Sequence, residues 1–234
     1  MSFQKITIHA LWEKKLSETS IKKAARKQGY IVLFIVVFSL IIRLPYIIGS
    51  SFPLHDGGFF YVMVRDLLKN DLLLPAYSSF NNANIPFIYP PFGLYFVAIL
   101  ERIFDIDGVL LFKIIPFVLV ILLIPVFYEF SKEFFENENY SLTATLVFSL
   151  LPFSYEWLIL GGGVTRGFGA IFCLLSLTFL FRNIKRTNIP NSILCVLFCG
   201  LTVLSHPEWA WFIVYSIGLK LLLMFLKNKR KALI

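Results

Sequence analysis

At 234 residues, 58% hydrophobic and only 15% charged, with a mean hydropathy of +0.77, the chain carries more apolar surface than a soluble domain of its length can hide. The bilayer is its natural solvent, and 26 Phe with 10 Tyr and 4 Trp suit lipid-facing helices and interfacial belts. The net charge of +8 does not point to nucleic acid, because seven Lys/Arg lie in the first 27 residues and Lys227, Lys229, Arg230 and Lys231 lie at the other end.

Residues 1–29 read as a basic cytoplasmic tail, with an amphipathic stretch through Ile6, Ile8, Leu11, Trp12 and Leu16 that suits an interfacial helix. Tyr30–Ile48 is the first run long enough to cross. It lacks an A-x-A-like cleavage site after it and so reads as a retained signal anchor. Val109–Phe130, Ser141–Leu160, Val164–Phe181 and Glu208–Leu226 are long enough or nearly so, and Asn191–Ser205 is shorter. Tyr89–Leu100 rises only about 18 Å as a helix, short of the ~30 Å hydrocarbon core, and is expected to lie along the interface.

Charge supports that placement. If Tyr89–Leu100 does not cross, the N-terminal tail, the Lys132 loop, the Arg182-Lys185-Arg186 loop and the 227–234 tail all share the cytoplasmic side, as the positive-inside rule requires. The expectation is therefore an all-α, polytopic membrane protein of the cell membrane with about six spans over 30–226 and both termini cytoplasmic. Its long external loop, 49–108, carries two amphipathic stretches, Gly58–Leu68 and Tyr89–Leu100. Cys173, Cys195 and Cys199 fall inside apolar runs with no His or further Cys to complete a metal set.

The residues able to do chemistry then gather outside. His55-Asp56-Gly57-Gly58 follows the first span; glycines there let a ligand approach the carboxylate, and the competing reading is a turn in which Asp56 caps the next helix. Gly161-Gly162-Gly163-Val164-Thr165-Arg166-Gly167 could bind an anion through free N–H groups and a guanidinium. Its alternative is close helix packing through Gly163-x-x-x-Gly167 with Arg166 snorkelling. In Ser205-His206-Pro207-Glu208, the two ionisable residues could hold a metal or a substrate hydroxyl, or pair with Arg166; otherwise Glu208 caps a Pro-broken connection. Arg43 and Lys113 are further candidate phosphate partners, and Arg65 and Arg102 read as solvated surface charge.

Together these pieces resemble the N-terminal half of the GT-C glycosyltransferases, above all the protein O-mannosyltransferase and aminoarabinose-transferase branch. The resemblance runs from about Arg43 to Trp209. It rests on Asp56 after the first span, on Tyr89-Pro90-Pro91-Phe92-Gly93, which is similar to a His-Pro-Pro-Leu-Gly helix, and on Lys113-Ile-Ile-Pro116, which is similar to a Leu-Arg-Leu-x-Pro start of the second span. It implies transfer of a sugar from a polyprenyl-phosphate donor at the outer membrane face, with Asp56 as the catalytic carboxylate. Asp56 would act as general base or hold a divalent cation near the phosphate. Arg43, His55, Lys113, Arg166, His206 and Glu208 would bind substrate or phosphate. His55 and Gly57 flank the acid where the family often has other acidic residues or His, and Tyr89 and Lys113 stand for His and Arg, which leaves metal dependence open. Such enzymes usually continue for several more spans, so the resemblance implies a fragment, a decayed copy or a subunit with a partner. A secondary transporter, which would favour inverted repeats around a midplane site, and a non-catalytic membrane subunit are the alternatives.

Overall fold

The structure, a computed structural model, describes residues 3–49, 51, 55–160 and 163–232, with side chains at 23, 26–49, 51, 55–160 and 163–227. The N-terminal amphipathic side chains, Gly161, Gly162 and the side chains of Lys229, Arg230 and Lys231 lie outside the described set. The chain is an all-α polytopic membrane protein, as its composition demands. Among the described residues four helices are long and apolar enough to cross a bilayer: Arg26–Ile48 within α1 (Phe3–Ile48), α4 (Gly108–Phe135), α7 (Gly163–Lys185) and, as far as Lys227, α9 (Pro207–Ala232). A shorter apolar helix, α8 (Ile189–Ser205), joins the last two.

The expected straight span Ser141–Leu160 is broken instead. α5 (Glu138–Leu150) stops before Pro152, and the path turns by 91° through a 3-10 turn, Pro152–Ser154, into the single-turn α6 (Glu156–Ile159). The reason is local: the residue before a proline is pushed out of the helical region, and Leu151 sits at φ −70°, ψ 120°. A helix end inside hydrocarbon needs partners for its freed carbonyls. Ser154 Oγ donates to the carbonyls of Phe148 (2.6 Å) and Leu151 (2.8 Å), and Arg43 Nη2 donates to that of Ser149 (2.9 Å).

Arg43 is thus a structural cation rather than a member of the candidate site. It is fully buried, at 0% exposure, and also donates to Ser39 O (3.2 Å). Its guanidinium lies 4.1 Å from the Tyr155 ring centre. Ile35, Ser39 and Arg43, four apart, make the buried stripe of α1 against α4 and α5. Ser141, Thr145 and Ser149 make the matching small-residue stripe on α5, each hydroxyl bonded back to its own helix.

α7 is the central helix, packed by α4, α8 and α9. Gly163 and Gly167 are needed there: a Cβ at Gly163 would lie 1.9 Å from the Leu158 carbonyl oxygen, and one at Gly167 would lie 2.9 Å from Leu119 Cδ1. Gly163 and Gly167 are thus packed closely, as the packing alternative expects, while Gly161 and Gly162 of the anion-binding alternative lie outside the described residues.

Between α1 and α4 two short amphipathic helices, α2 (Gly57–Lys69) and α3 (Phe92–Phe104), pack on each other and on the N-terminal end of α4. Phe60, Met63, Val64 and Leu67 of α2 meet Leu94, Val97 and Ala98 of α3 in the core, at helical spacing. The 13 residues of α3 rise about 20 Å, too short for a crossing. A small antiparallel hairpin, β1 (Tyr77–Ser78) with β2 (Ile85–Pro86), had no clear sequence signal. The buried Asp66 carboxylate anchors it, accepting from Ser78 Oγ, Ser79 N and Ser79 Oγ. Arg65 pairs with Glu101, and Arg102 lies 3.6 Å from Asp71, so both cations tie the cap together.

At the opposite end of the bundle the C-terminal turns of α4 and α7 are clamped by charge. Arg182 reaches Glu129 and Glu133 (both 2.8 Å), and Lys185 reaches Glu133 (3.1 Å) and Glu136 (3.0 Å). The Lys132 and Arg182 loops, expected on one side, are neighbours in space.

Replacing Arg43 by Ala strands the Ser149 carbonyl in apolar surroundings and removes the Tyr155 contact, a loss of about 2–3 kcal/mol. Thermal unfolding of the detergent-solubilised protein should move down by several degrees; an unchanged transition would remove Arg43 from the account of the α5 break.

Candidate functional site

The polar residues at the α2–α3 end converge on Arg166, in the first turn of α7. Its Nη2 donates to Asp56 Oδ2 at 3.1 Å, a contact spanning 110 residues of sequence. Its Nη1 donates to the Trp157 carbonyl (3.4 Å), and its guanidinium stands 5.4 Å from the Trp157 ring centre. Asp56 occupies the N-cap position of α2 but makes no side-chain cap bond. The capping reading of Asp56 therefore fails, and its carboxylate serves Arg166. That carboxylate is 51% exposed and the guanidinium 17%, so the pair is reachable from outside while backed by protein.

His55 precedes Asp56 at a positive φ of 57°, a conformation uncommon for a residue with a Cβ. It places the imidazole 5.7 Å from the Trp157 ring centre. Trp157 is thus shared by His55 and Arg166. The sequence reading missed it; the available signal was an indole close before the glycine run.

His206 is the one residue between α8 and α9, extended at φ −158°, ψ 132° as its position before Pro207 favours. Its Cβ fills the place a side chain would take at Gly169, where an added Cβ would lie 2.8 Å from it. His206 is 2% exposed, its ring stands T-shaped to Tyr89 at 6.0 Å, and its Nδ1 has no hydrogen-bond partner among the described residues. Burial, with the Arg166 charge adding to it, lowers its pKa from 6.5 to about 4, so the imidazole is neutral near pH 7. The Tyr89 hydroxyl is pushed up, chiefly by burial; it hydrogen-bonds with Thr165 and feels Arg166, Glu208 and Asp56. Tyr89 in turn packs edge-on against Phe60 of α2 (4.8 Å).

Asp56, Tyr89, Arg166 and His206, drawn from four separate segments, therefore form one cluster, with His55 and Glu208 on its margin. Glu208, in the first turn of α9, is exposed and makes no cap bond, hydrogen bond or ion pair among the described residues. Lys113 is half-buried on α4, makes no ion pair among the described residues, and is not among the charges acting on Tyr89. Arg43 stands apart, at the α5 break.

From this cluster a furrow of about 740 Å³ runs down the bundle. Its floor is α4 (Leu123, Phe127, Phe130) and α7 (Leu174, Leu177), and its flanks are Phe148 and Phe153 on one side and Trp209 and Phe212 on the other. Of its lining residues only Ser154, Arg166 and Glu208 are neither aliphatic nor aromatic, and the two charges stand where Trp157 and Trp209 frame the mouth. From Arg166 to Leu177 the floor descends about 16 Å, roughly half the hydrocarbon core. α9 rests on α7 and α8 and makes no sustained contact with α5, so among the described residues the furrow's flank between α5 and α9 is open.

No family model, curated protein or solved structure matches this chain. Site and fold speak from their own geometry. A resident divalent cation does not fit the cluster: among the described residues no group of three or more His, Cys, Asp and Glu side chains is placed to hold one, and Asp56 is already engaged by Arg166.

A histidine whose folded pKa lies below its unfolded value stabilises fully above about pH 6.5 and loses that contribution as pH falls toward 4. The difference corresponds to about 3 kcal/mol. Melting temperature in detergent should fall as pH drops from 7 to 4, and fall less in His206→Gln. Parallel profiles for the two proteins would show that His206 is not held neutral by the fold.

Proposed function

We propose that this chain is a membrane glycosyltransferase, or the donor-binding portion of one, that transfers a sugar from a polyprenyl-phosphate carrier to an acceptor at the outer face of the cell membrane. One observation carries the reading. A long apolar furrow ends at a guanidinium, and that guanidinium holds an exposed carboxylate. Such a site accommodates an amphiphile with its hydrocarbon chain among Phe127, Phe130 and Leu177 and its phosphate at Arg166.

The chemistry follows from that pose. The acceptor hydroxyl attacks the anomeric carbon; the bond from that carbon to the phosphate oxygen breaks, and the new glycosidic bond forms. Asp56 takes the hydroxyl proton as general base. Arg166 stabilises the negative charge that grows on the departing lipid phosphate. Asp56 and Arg166 are in contact before substrate arrives, so base and phosphate partner are already in register across the mouth. His206 stays neutral beside Arg166 and adds no competing charge.

Topology is part of the proposal. The clamp of Arg182 and Lys185 and both basic tails are assigned to the cytoplasm, and Asp56, Tyr89, Arg166 and His206 to the outside. The transporter reading has less behind it. Its hallmark, a broken helix with free carbonyls facing a midplane site, is matched by the α5 break only in part, because Arg43 and Ser154 occupy those carbonyls.

Membranes containing the protein, with its partner if there is one, should transfer labelled sugar from a polyprenyl-phosphate donor. Asp56→Asn should cut that transfer by about a hundredfold or more. Undiminished transfer by the variant would remove Asp56 from the mechanism. For the sidedness, single cysteines at the exposed positions Asn82 and Asn188, in a background without the three native thiols, should differ. An impermeant thiol reagent added to intact cells should label position 82 and spare position 188; labelling at 188 would invert the assignment.

A further inference from the structure

The charges at the furrow mouth do not balance for a simple phosphate. Arg166 is the cation there, and Asp56 already neutralises it at 3.1 Å. Glu208 stands on the same rim, exposed and paired with no cation among the described residues. His206 contributes no charge near pH 7. Lys113, on α4, is not among the residues that line the furrow. Among the described residues at the mouth, the carboxylates of Asp56 and Glu208 thus outnumber the one guanidinium, with the His55 imidazole on the Trp157 side. A lipid carrying only a phosphate would bring a second negative charge to it.

We propose that Glu208 selects, at this mouth, lipids whose head group carries a primary ammonium as well as the phosphate. The phosphate goes to Arg166, and the ammonium to the unpaired Glu208 carboxylate. The lipid comes from the surrounding bilayer through the open flank between α5 and α9, its chain lying on the furrow floor. Charge complementarity is the argument: this head group brings both signs, and the mouth offers both, with the carboxylate in excess. A divalent cation bridging Glu208 to a plain lipid phosphate is the competing way to balance the site, and the described residues place no third ligand to hold it.

The inference rests on the furrow being a lipid-phosphate site, and the test separates the two claims. Short-chain phosphatidylethanolamine and phosphatidylglycerol share a phosphate and differ by the ammonium. Each is titrated into the full-length protein in detergent, read by the fluorescence of Trp157 and Trp209 at the mouth, with EDTA present and then with magnesium. The wild type should bind the ethanolamine lipid about tenfold tighter than the glycerol lipid. Glu208→Gln should abolish the preference, and Glu208→Lys should reverse it; an exposed, unpaired side chain makes both variants tolerable to the fold. Equal binding of the two lipids by the wild type would overturn the role of Glu208 and leave the furrow reading intact. So would a preference that survives in Glu208→Gln, or tight glycerol-lipid binding that needs magnesium and Glu208. Binding of neither lipid would overturn the furrow reading itself.

Discussion

A helix that ends inside hydrocarbon must hand its last carbonyls to protein, because no water is there to take them. α5 stops at such a break in an apolar stretch, and Arg43 and Ser154 supply donors to its last carbonyls. The consequences run outward from the break. Arg43 lies on the Tyr155 ring, and Tyr46 of the same helix hydrogen-bonds Glu156 at 2.9 Å, so α1 holds the turned segment on two sides. α6 is thereby set across the bundle, and Trp157 lands against Arg166. Where α5 turns aside, no straight helix covers α4 and α7, and the furrow is the space left.

The two ends of the bundle handle charge in opposite ways. At one, Arg182 and Lys185 share Glu129, Glu133 and Glu136 in a network that locks α4 to α7, a purely structural use. At the other, the Arg65–Glu101 and Arg102–Asp71 pairs tie α2 to α3, and the furrow mouth beside them holds, among the described residues, the Arg166–Asp56 pair, the unpaired Glu208 carboxylate and a histidine kept neutral by burial beside a guanidinium. An end built for cohesion would have paired Glu208. Among the described residues Glu208 is left unpaired beside an apolar furrow, and the proposed ligand-binding role rests on that combination.

The expected position of the Tyr89–Leu100 segment proves decisive for the site. α3, too short to span, packs among α2, α4, α7 and α8, and Tyr89, three residues before it, is brought between Phe60 and His206. Gly93 allows this approach: a Cβ there would stand 3.1 Å from Thr165 Cγ2.

Helical class, membrane residence, the long spans and the short amphipathic pair α2 and α3 were all legible in the sequence, because hydrophobic run length and 3.6-residue periodicity are local properties read against the thickness of a bilayer. The residue types at the site were legible too, since ionisable groups stand out in a chain this apolar. Which of them meet was not. The glycine run could pack or bind, and only tertiary contact with Leu119 and Leu158 shows that Gly163 and Gly167 are packed. Asp56 could stand by a ligand or cap the next helix, and Arg166, 110 residues away, takes its carboxylate from the cap. Arg43 could snorkel to head groups or meet a phosphate, and the stop at Pro152 turned it inward instead. Each choice depended on a partner distant in sequence, and burial and hydrogen-bond satisfaction act only once the chain has brought such partners together.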